Sequence, residues 1–202
     1  EKVSSVAIAL INSYTNNKHE EIIEKTLREL GFDGQISSSY MVSGEYREYE
    51  RTNTTCLNTA LMPLLTDYHE KLATNLKSLK ISSPFYIMRS SGGLAQAEEI
   101  SKQPITAALS GPAAGVIAAT HFGVLAEMPN LICFDVGGTS ADICLVEQGK
   151  PRMLTEGRVD IYDVKTPMID IHAVGAGGGS IAWLAGGRSL KVGPDSAGSS
   201  PG

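Results

Sequence analysis

The sequence predicts an α/β fold on three observations. Ser5-Val6-Ala7-Ile8-Ala9-Leu10-Ile11 is a continuous apolar run suited to a strand buried on both faces, and an amphipathic helix pattern follows from His19 to Leu30. Leu57, Leu61, Leu64, Leu65, Tyr68, Leu72, Leu76 and Leu79 then repeat at helical spacing across Thr54 to Leu79. Finally, two apolar segments, Phe134 to Val136 and Ile143 to Val146, flank Gly137-Gly138-Thr139-Ser140, the pattern of a β-hairpin.

Each element follows in order. After the first strand, Ser13 to Lys18 is a polar loop, and the helix beyond it turns Ile22, Ile23, Thr26, Leu27 and Leu30 to one side before Gly31 stops it. Ile36 to Met41 reads as a short strand. Gly44 to Arg51 is dense in charges and tyrosines, a solvated face or a functional surface, and the long helix after it contains Pro63, which is expected to bend or interrupt it. Core packing accounts for its leucine stripe. Phe85 to Met88 is a further strand, with Arg89-Ser90-Ser91-Gly92-Gly93 as the loop at its end. From Ser110 a helix of very small residues begins, with Pro112 in its first turn; the composition fits a hinge and close packing equally. Beyond the hairpin, Gly149-Lys150-Pro151 turns the chain, and Met168 to Val174 is an apolar strand leading into the flexible glycine cluster Gly175 to Gly179.

The hairpin carries the chemistry. Two glycines in a tight turn let backbone N–H groups face an anion where a Cβ would block the approach, and Thr139 and Ser140 add hydroxyl donors. Asp135 ends the outgoing strand and Asp142 begins the returning one, so two carboxylates stand ready to hold a hydrated Mg²⁺ beside phosphates. An ordinary Gly-Gly hairpin is the alternative. Asp170 and His172 lie two apart on a strand and share a face, a spacing open to metal binding, proton transfer or a structural pair. The adjacent glycines allow the backbone to approach a ligand. The chain contains no Gly-x-x-x-x-Gly-Lys, Gly-x-Ser-x-Gly, His-Glu-x-x-His or Cys-x-x-Cys motif, and the glycine cluster departs from the dinucleotide spacing at Ser180.

Composition narrows the function classes. With 202 residues and 42% hydrophobic content the chain can bury a real core as one large or two small domains. A net charge of −5 with scattered Lys and Arg argues against nucleic-acid binding. No apolar run reaches the length of a membrane span and no signal-peptide layout opens the chain, which leads to the expectation of a cytoplasmic protein with no membrane partner. Cys56, Cys133 and Cys144 read as buried thiols. Both ends read as cut, so the chain is expected to be an internal fragment.

Several segments together resemble the hydantoinase A and 5-oxoprolinase family: Arg47-Glu48-Tyr49-Glu50-Arg51-Thr52, Ser90-Ser91-Gly92-Gly93, Ser110 to Gly115, Phe134 to Asp142, Asp170-Ile171-His172 with Val174 to Trp183, and Val192-Gly193-Pro194 with Ser196-Ala197-Gly198. The resemblance implies ribonuclease-H-like lobes of the actin, Hsp70 and sugar-kinase ATPase type. Residues 1–127 would then belong to the first lobe with its connecting helix, and 128–202 would start the second lobe with its phosphate hairpin. It also implies ATP and Mg²⁺ as cofactors, with the metal on Asp135 and Asp142, and with Gly137, Gly138, Thr139, Ser140, Gly177 and Gly178 against the nucleotide. Asp135, Asp142, Asp170 and His172 are the candidate catalytic residues. The implied activity is ATP-dependent opening of a cyclic amide such as 5-oxoproline or a hydantoin through carbonyl phosphorylation, with a hydantoinase B-type partner subunit or fused domain. The alternatives are the ATP-binding subunit of an acetone-carboxylase-like enzyme, or a nucleotide-binding module without turnover. Because the first phosphate hairpin of the family is missing, these residues alone are expected to bind ATP weakly or not at all.

Overall fold

A computed structural model describes residues 3–200. The chain forms two units, one running to Ser110 and including Leu154–Met168, the other comprising Gly111–Met153 and the chain from Ile169. None of the described helices is long and apolar enough to cross a membrane.

In the first unit, β1 (Ser5–Ile8) crosses over through α1 (Lys18–Glu29) to pair in parallel with β2 (Gln35–Ser38), Ser5 opposite Gln35. The strand is shorter than the apolar run, because the chain turns at Asn12 with φ 59° and leaves Ile11 81% exposed. Gly31, at φ +83°, ends α1 as expected. The expected strand to Met41 stops at Ser38 and becomes a single helical turn, α2 (Ser39–Val42).

The long helix, α3 (Glu48–Ser78), starts within the charged segment and continues through Pro63, so the expected interruption is absent. Its buried face also differs from the leucine stripe. Arg51, Thr54, Thr55, Asn58, Thr59 and Met62 follow each other at helical spacing and are all buried, while Leu64 and Tyr68 are exposed. Local hydrogen bonding makes this polar face possible: Thr54, Thr55 and Thr59 donate to the carbonyls four residues back, which satisfies each hydroxyl within the helix. Asn58 donates to Ser37 Oγ and the Lys102 carbonyl and accepts the Ile105 N–H. One side chain thereby ties α3 to β2 and to Lys102 and Ile105.

Arg51 and Glu20 are fully buried and share a hydrogen-bonded network. Arg51 donates to Ser13 Oγ, the Leu10 carbonyl and the Glu48 carboxylate. Glu20 accepts from Ser39 Oγ at 2.6 Å, the Leu10 N–H at 2.8 Å and the Tyr40 N–H at 3.1 Å, and the Ser13 and Ser39 hydroxyls join the two halves. Burial pushes the Glu20 carboxyl up, but the hydrogen bonds from Ser39, Leu10, Ser13 and Tyr40 outweigh it and hold the group below the ordinary glutamate range.

The unit continues through the hairpin β3 (Tyr86–Met88) and β4 (Leu94–Gln96), α4 (Ala97–Lys102) and a 3-10 turn at Pro104–Ala107. The 89–93 loop is a tight turn, with Gly92 at φ +86°, and Ser90 is buried with its N–H on the Thr106 carbonyl.

The second unit opens with α5 (Ser110–Leu125), the helix of small residues, followed by β5 (Leu131–Val136), β6 (Ala141–Glu147) and β7 (Lys150–Pro151). After β8 (Met153–Leu154), the antiparallel pair β9 (Gly157–Val159) and β10 (Tyr162–Val164) returns to the first unit, where Val164 and Met168 join Ile105, Leu57 and Leu61 in its core. The expected Met168–Val174 strand is broken at Asp170 and Ile171 into β11 (Met168–Ile169) and β12 (His172–Val174). An antiparallel ribbon that the sequence reading did not anticipate, β13 (Ser180–Ala185) and β14 (Ser189–Ser196), closes the unit around Gly186 and Gly187, both at positive φ. Of the cysteines, Cys144 is buried and Cys133 partly so, but Cys56 is exposed on α3, which corrects its expected burial.

The Glu20 network generates a stability prediction. Replacing Glu20 by Ala removes a carboxylate that satisfies buried donors and should lower the unfolding free energy by about 3 kcal/mol in chemical denaturation. Since the folded carboxyl titrates below its unfolded value, its contribution is present at neutral pH and lost on acidification. The parent should therefore lose more stability than Glu20→Ala between about pH 6 and pH 3.

Candidate functional site

β5 and β6 form the expected hairpin, with Asp135 directly opposite Asp142 and Val136 opposite Ala141. β12 lies on the other side of β6, placing Ala173 opposite Asp142 and His172 opposite Ile143. Side chains alternate across a strand, so each row belongs to one face. Leu131 with Val146, Cys133 with Cys144, and Asp135 with Asp142 occupy successive rows of the same face. The first two rows are packed with Ala113, Val116 and Ile117 of α5 and with Ile169 and Ile171. Burial pushes both Cys133 and Cys144 thiols up, the proximity of the two adding to the shift at Cys144, so both stay protonated.

The carboxylate row continues this packed face at the hairpin end. Asp135 is exposed, Asp142 is half-buried, and neither is in an ion pair among the described residues. Gly115 of α5 lies beside the acid pair, its Cβ position 3.8 Å from Asp135 Oδ2. Asp170 and His172 stand elsewhere: the Asp170 carboxylate is 3.3 Å from Arg152 Nε, its N–H donates to the Arg152 carbonyl, and His172 belongs to the row of Phe134 and Ile143 on the opposite sheet face. The structure thus brings Asp135 and Asp142 together and leaves His172 off their face.

The turn is closed by the Gly137 N–H donating to the Ser140 carbonyl at 2.9 Å. The N–H groups of Gly138, Thr139 and Ser140 have no acceptor among the described residues. A Cβ on Gly138 would meet no protein atom within 4 Å, so the space beside it is open. This is a cradle that a side chain would occupy and an anion can enter.

The glycine cluster, expected as a flexible loop, is instead held against this turn. Gly178 N–H donates to the Gly137 carbonyl at 2.9 Å and Gly179 N–H to the Gly138 carbonyl at 2.8 Å. A Cβ on Gly177 would lie 2.7 Å from Gly137 O, Gly138 C and Thr139 N. Gly177 N–H is held in turn by Ser180 Oγ, and the Gly179 carbonyl accepts the Ala197 N–H. Glycine density hinted at a close approach in the sequence, but its target and the support from Ser196 to Gly198 carried no local signal.

Directly opposed carboxylates repel each other. Asp135→Asn should stabilise the folded chain by about 0.5 kcal/mol in thermal or chemical unfolding at low salt, with the gain shrinking as salt rises.

Comparison with known proteins gives the family. A family model described as Hydantoinase/oxoprolinase matches residues 51–202. The caprolactamase subunit alpha of Pseudomonas jessenii is 36% identical over 100% of this chain and 29% of its own length. A crystal structure of the ATP-dependent caprolactamase from the same organism superposes with a TM-score of 0.87 at 35% identity, over 98% of this chain and 28% of that one. The 5-oxoprolinase of Saccharomyces cerevisiae is 34% identical over 99% of this chain and 15% of its own length. A nucleotide-free acetone carboxylase structure is similar with a TM-score of 0.69 at 30% identity, over 95% of this chain and 27% of that one. The chain therefore spans less than a third of these relatives, and its mixed helix and sheet architecture is theirs over that span. On the match of residues 51–202, the chain belongs to the hydantoinase/oxoprolinase family.

Proposed function

We propose that this chain supplies the phosphate-binding hairpin of an enzyme that uses ATP to open a cyclic amide. The observation that carries the reading is the turn itself: three backbone N–H groups without an acceptor among the described residues, open space beside Gly138, and the opposed carboxylates Asp135 and Asp142 next to it. The similarity to caprolactamase and 5-oxoprolinase supports the substrate class.

In this reading the N–H groups of Gly138, Thr139 and Ser140 and the hydroxyls of Thr139 and Ser140 donate to phosphate oxygens. Asp135 and Asp142 are the residues that would hold Mg²⁺. Two carboxylates suit an ion that takes most of its ligands from water and phosphate. When bound, Mg²⁺ neutralises phosphate charge. The substrate carbonyl oxygen would accept the γ-phosphoryl group of ATP as its bond to the departing ADP breaks, and water would then add at the carbonyl carbon, opening the C–N bond with release of phosphate. Gly177 and Gly178 serve the nucleotide through the turn they support. Asp170 serves through its tie to Arg152, and His172 keeps a catalytic role only toward a ligand on the opposite sheet face.

The lobe assignment belongs to the same proposal. Residues 1–127 would end a first ribonuclease-H-like lobe of the actin and sugar-kinase type with its connecting helix and 128–202 would start the second, a division along the chain that differs from the two contact units, which group α5 with the second unit and Leu154–Met168 with the first. The caprolactamase relative is a subunit alpha, which supports a second subunit in the complete enzyme. ATP-dependent ketone carboxylation is the second reading, favoured by the likeness to acetone carboxylase.

The test is phosphate release by the complete protein with its partner subunit, offered 5-oxoproline, hydantoin, caprolactam, or acetone with bicarbonate. Release stimulated by a cyclic amide, falling at least about 100-fold in Asp135→Asn, is the expected result. Stimulation by ketone and bicarbonate alone would transfer the protein to the carboxylases, and silence with every substrate would leave a nucleotide-binding module without turnover.

A further inference from the structure

We infer that Gly177-Gly178-Gly179 is a backbone clamp that aims the N–H groups of the hairpin turn, and that Gly177 is its positioning residue. The inference rests on the phosphate-binding reading of the hairpin.

In a trans peptide the carbonyl of one residue and the N–H of the next point in opposite directions. The only cis peptide among the described residues joins Gly193 to Pro194, so the peptides linking Gly137 to Gly138 and Gly138 to Thr139 are trans. The carbonyls of Gly137 and Gly138 both point at the glycine loop, because the N–H groups of Gly178 and Gly179 donate to them at 2.9 and 2.8 Å. The N–H groups of Gly138 and Thr139 must therefore both point away from that loop. In an extended strand successive peptides alternate, and one of the two would face the wrong way. Two bonds from the loop select the rarer arrangement, in which adjacent donors lie on one side as an anion nest.

This division of labour separates the glycines by function. Gly138 is open: its Cβ position meets no protein atom within 4 Å, which leaves space beside the turn. Gly177 is closed on the clamp side, where a Cβ would sit 2.7 Å from three backbone atoms of the turn. Ser180 keeps Gly177 in place by accepting its N–H at 2.9 Å. Gly175, two residues earlier in the same loop, has nothing within 4 Å of its Cβ position and takes no part in the clamp.

The experiment compares Gly177→Ala, Ser180→Ala and Gly175→Ala in the complete protein, reading MgATP affinity, adenosine affinity and the thermal midpoint without ligand. A clamp that aims phosphate donors predicts MgATP binding weakened about 30-fold or more in Gly177→Ala, with adenosine binding changed less than about 3-fold. Ser180→Ala, which inserts no atom and folds more readily, should weaken MgATP about 3- to 10-fold with the same adenosine indifference. Gly175→Ala should match the wild type. Wild-type MgATP affinity in both Gly177→Ala and Ser180→Ala overturns the clamp, as does an equal loss for MgATP and adenosine. Absence of MgATP binding in the wild type overturns the nucleotide reading beneath it, a result separate from failure of the clamp alone.

Discussion

Two stretches of backbone that meet with no side chain between them set the geometry of the candidate site. The turn at Gly137 and Gly138 and the loop at Gly177 to Gly179 touch peptide to peptide, and each supplies what the other lacks, carbonyl acceptors on one side and N–H donors on the other. Side-chain hydrogen bonds carry rotamer freedom, which a peptide bond does not. A site assembled from peptides is consequently stiffer than one assembled from side chains, a property suited to preorganised stabilisation of charge.

The first unit uses the opposite device. Its interior along α3 is polar, and its cohesion comes from directional bonds between Arg51, Glu20, Asn58 and a set of serines and threonines. Such a core tolerates less sliding than an apolar one, because a hydrogen bond displaced by an ångström is lost whereas a dispersion contact is only weakened. Apolar packing adds a cluster around Ile105, Val164 and Met168, where β9 and β10 bring a late segment of the chain into the unit, and buried Ile8, Ile36, Met62 and Ile100 elsewhere in it.

What the sequence disclosed followed from whether the signal was local. The β1–α1–β2 order, the stop at Gly31, the small-residue helix and the hairpin with its two facing carboxylates all rest on short patterns whose physics acts within a few residues. The buried face of α3 is hidden because hydropathy ranks Thr, Asn and Arg as surface residues: the threonine hydroxyls are satisfied within the helix, while Asn58 and Arg51 depend on partners far along the chain, Lys102 and Ser13. The strand end at Ile8 and the break at Asp170 are hidden for a related reason: an apolar run records preference for the interior but not where the chain must turn. Asp170 and His172 share a spacing that suggested a pair, yet one is tied to Arg152 and the other sits in the row of Ile143. The ribbon of β13 and β14, rich in glycine at its tip, carried too little periodicity to be read as strands.

The rows of the hairpin have a consequence for how the acid pair stays where it is. A slip of one residue between β5 and a neighbour would turn every side chain to the other face, carrying Asp135 to the side of Phe134 and bringing Ile132 in place of Cys133 against α5. The cysteine row and the Leu131–Val146 row beside it fit a helix whose facing residues are Ala113 and Val116, and bulkier neighbours would not pack there. Hydrophobic packing thus acts as a proofreader of alignment: residues with no chemistry of their own decide, at the far end of the same strands, which side chains reach the solvent end of that face as a pair of acids.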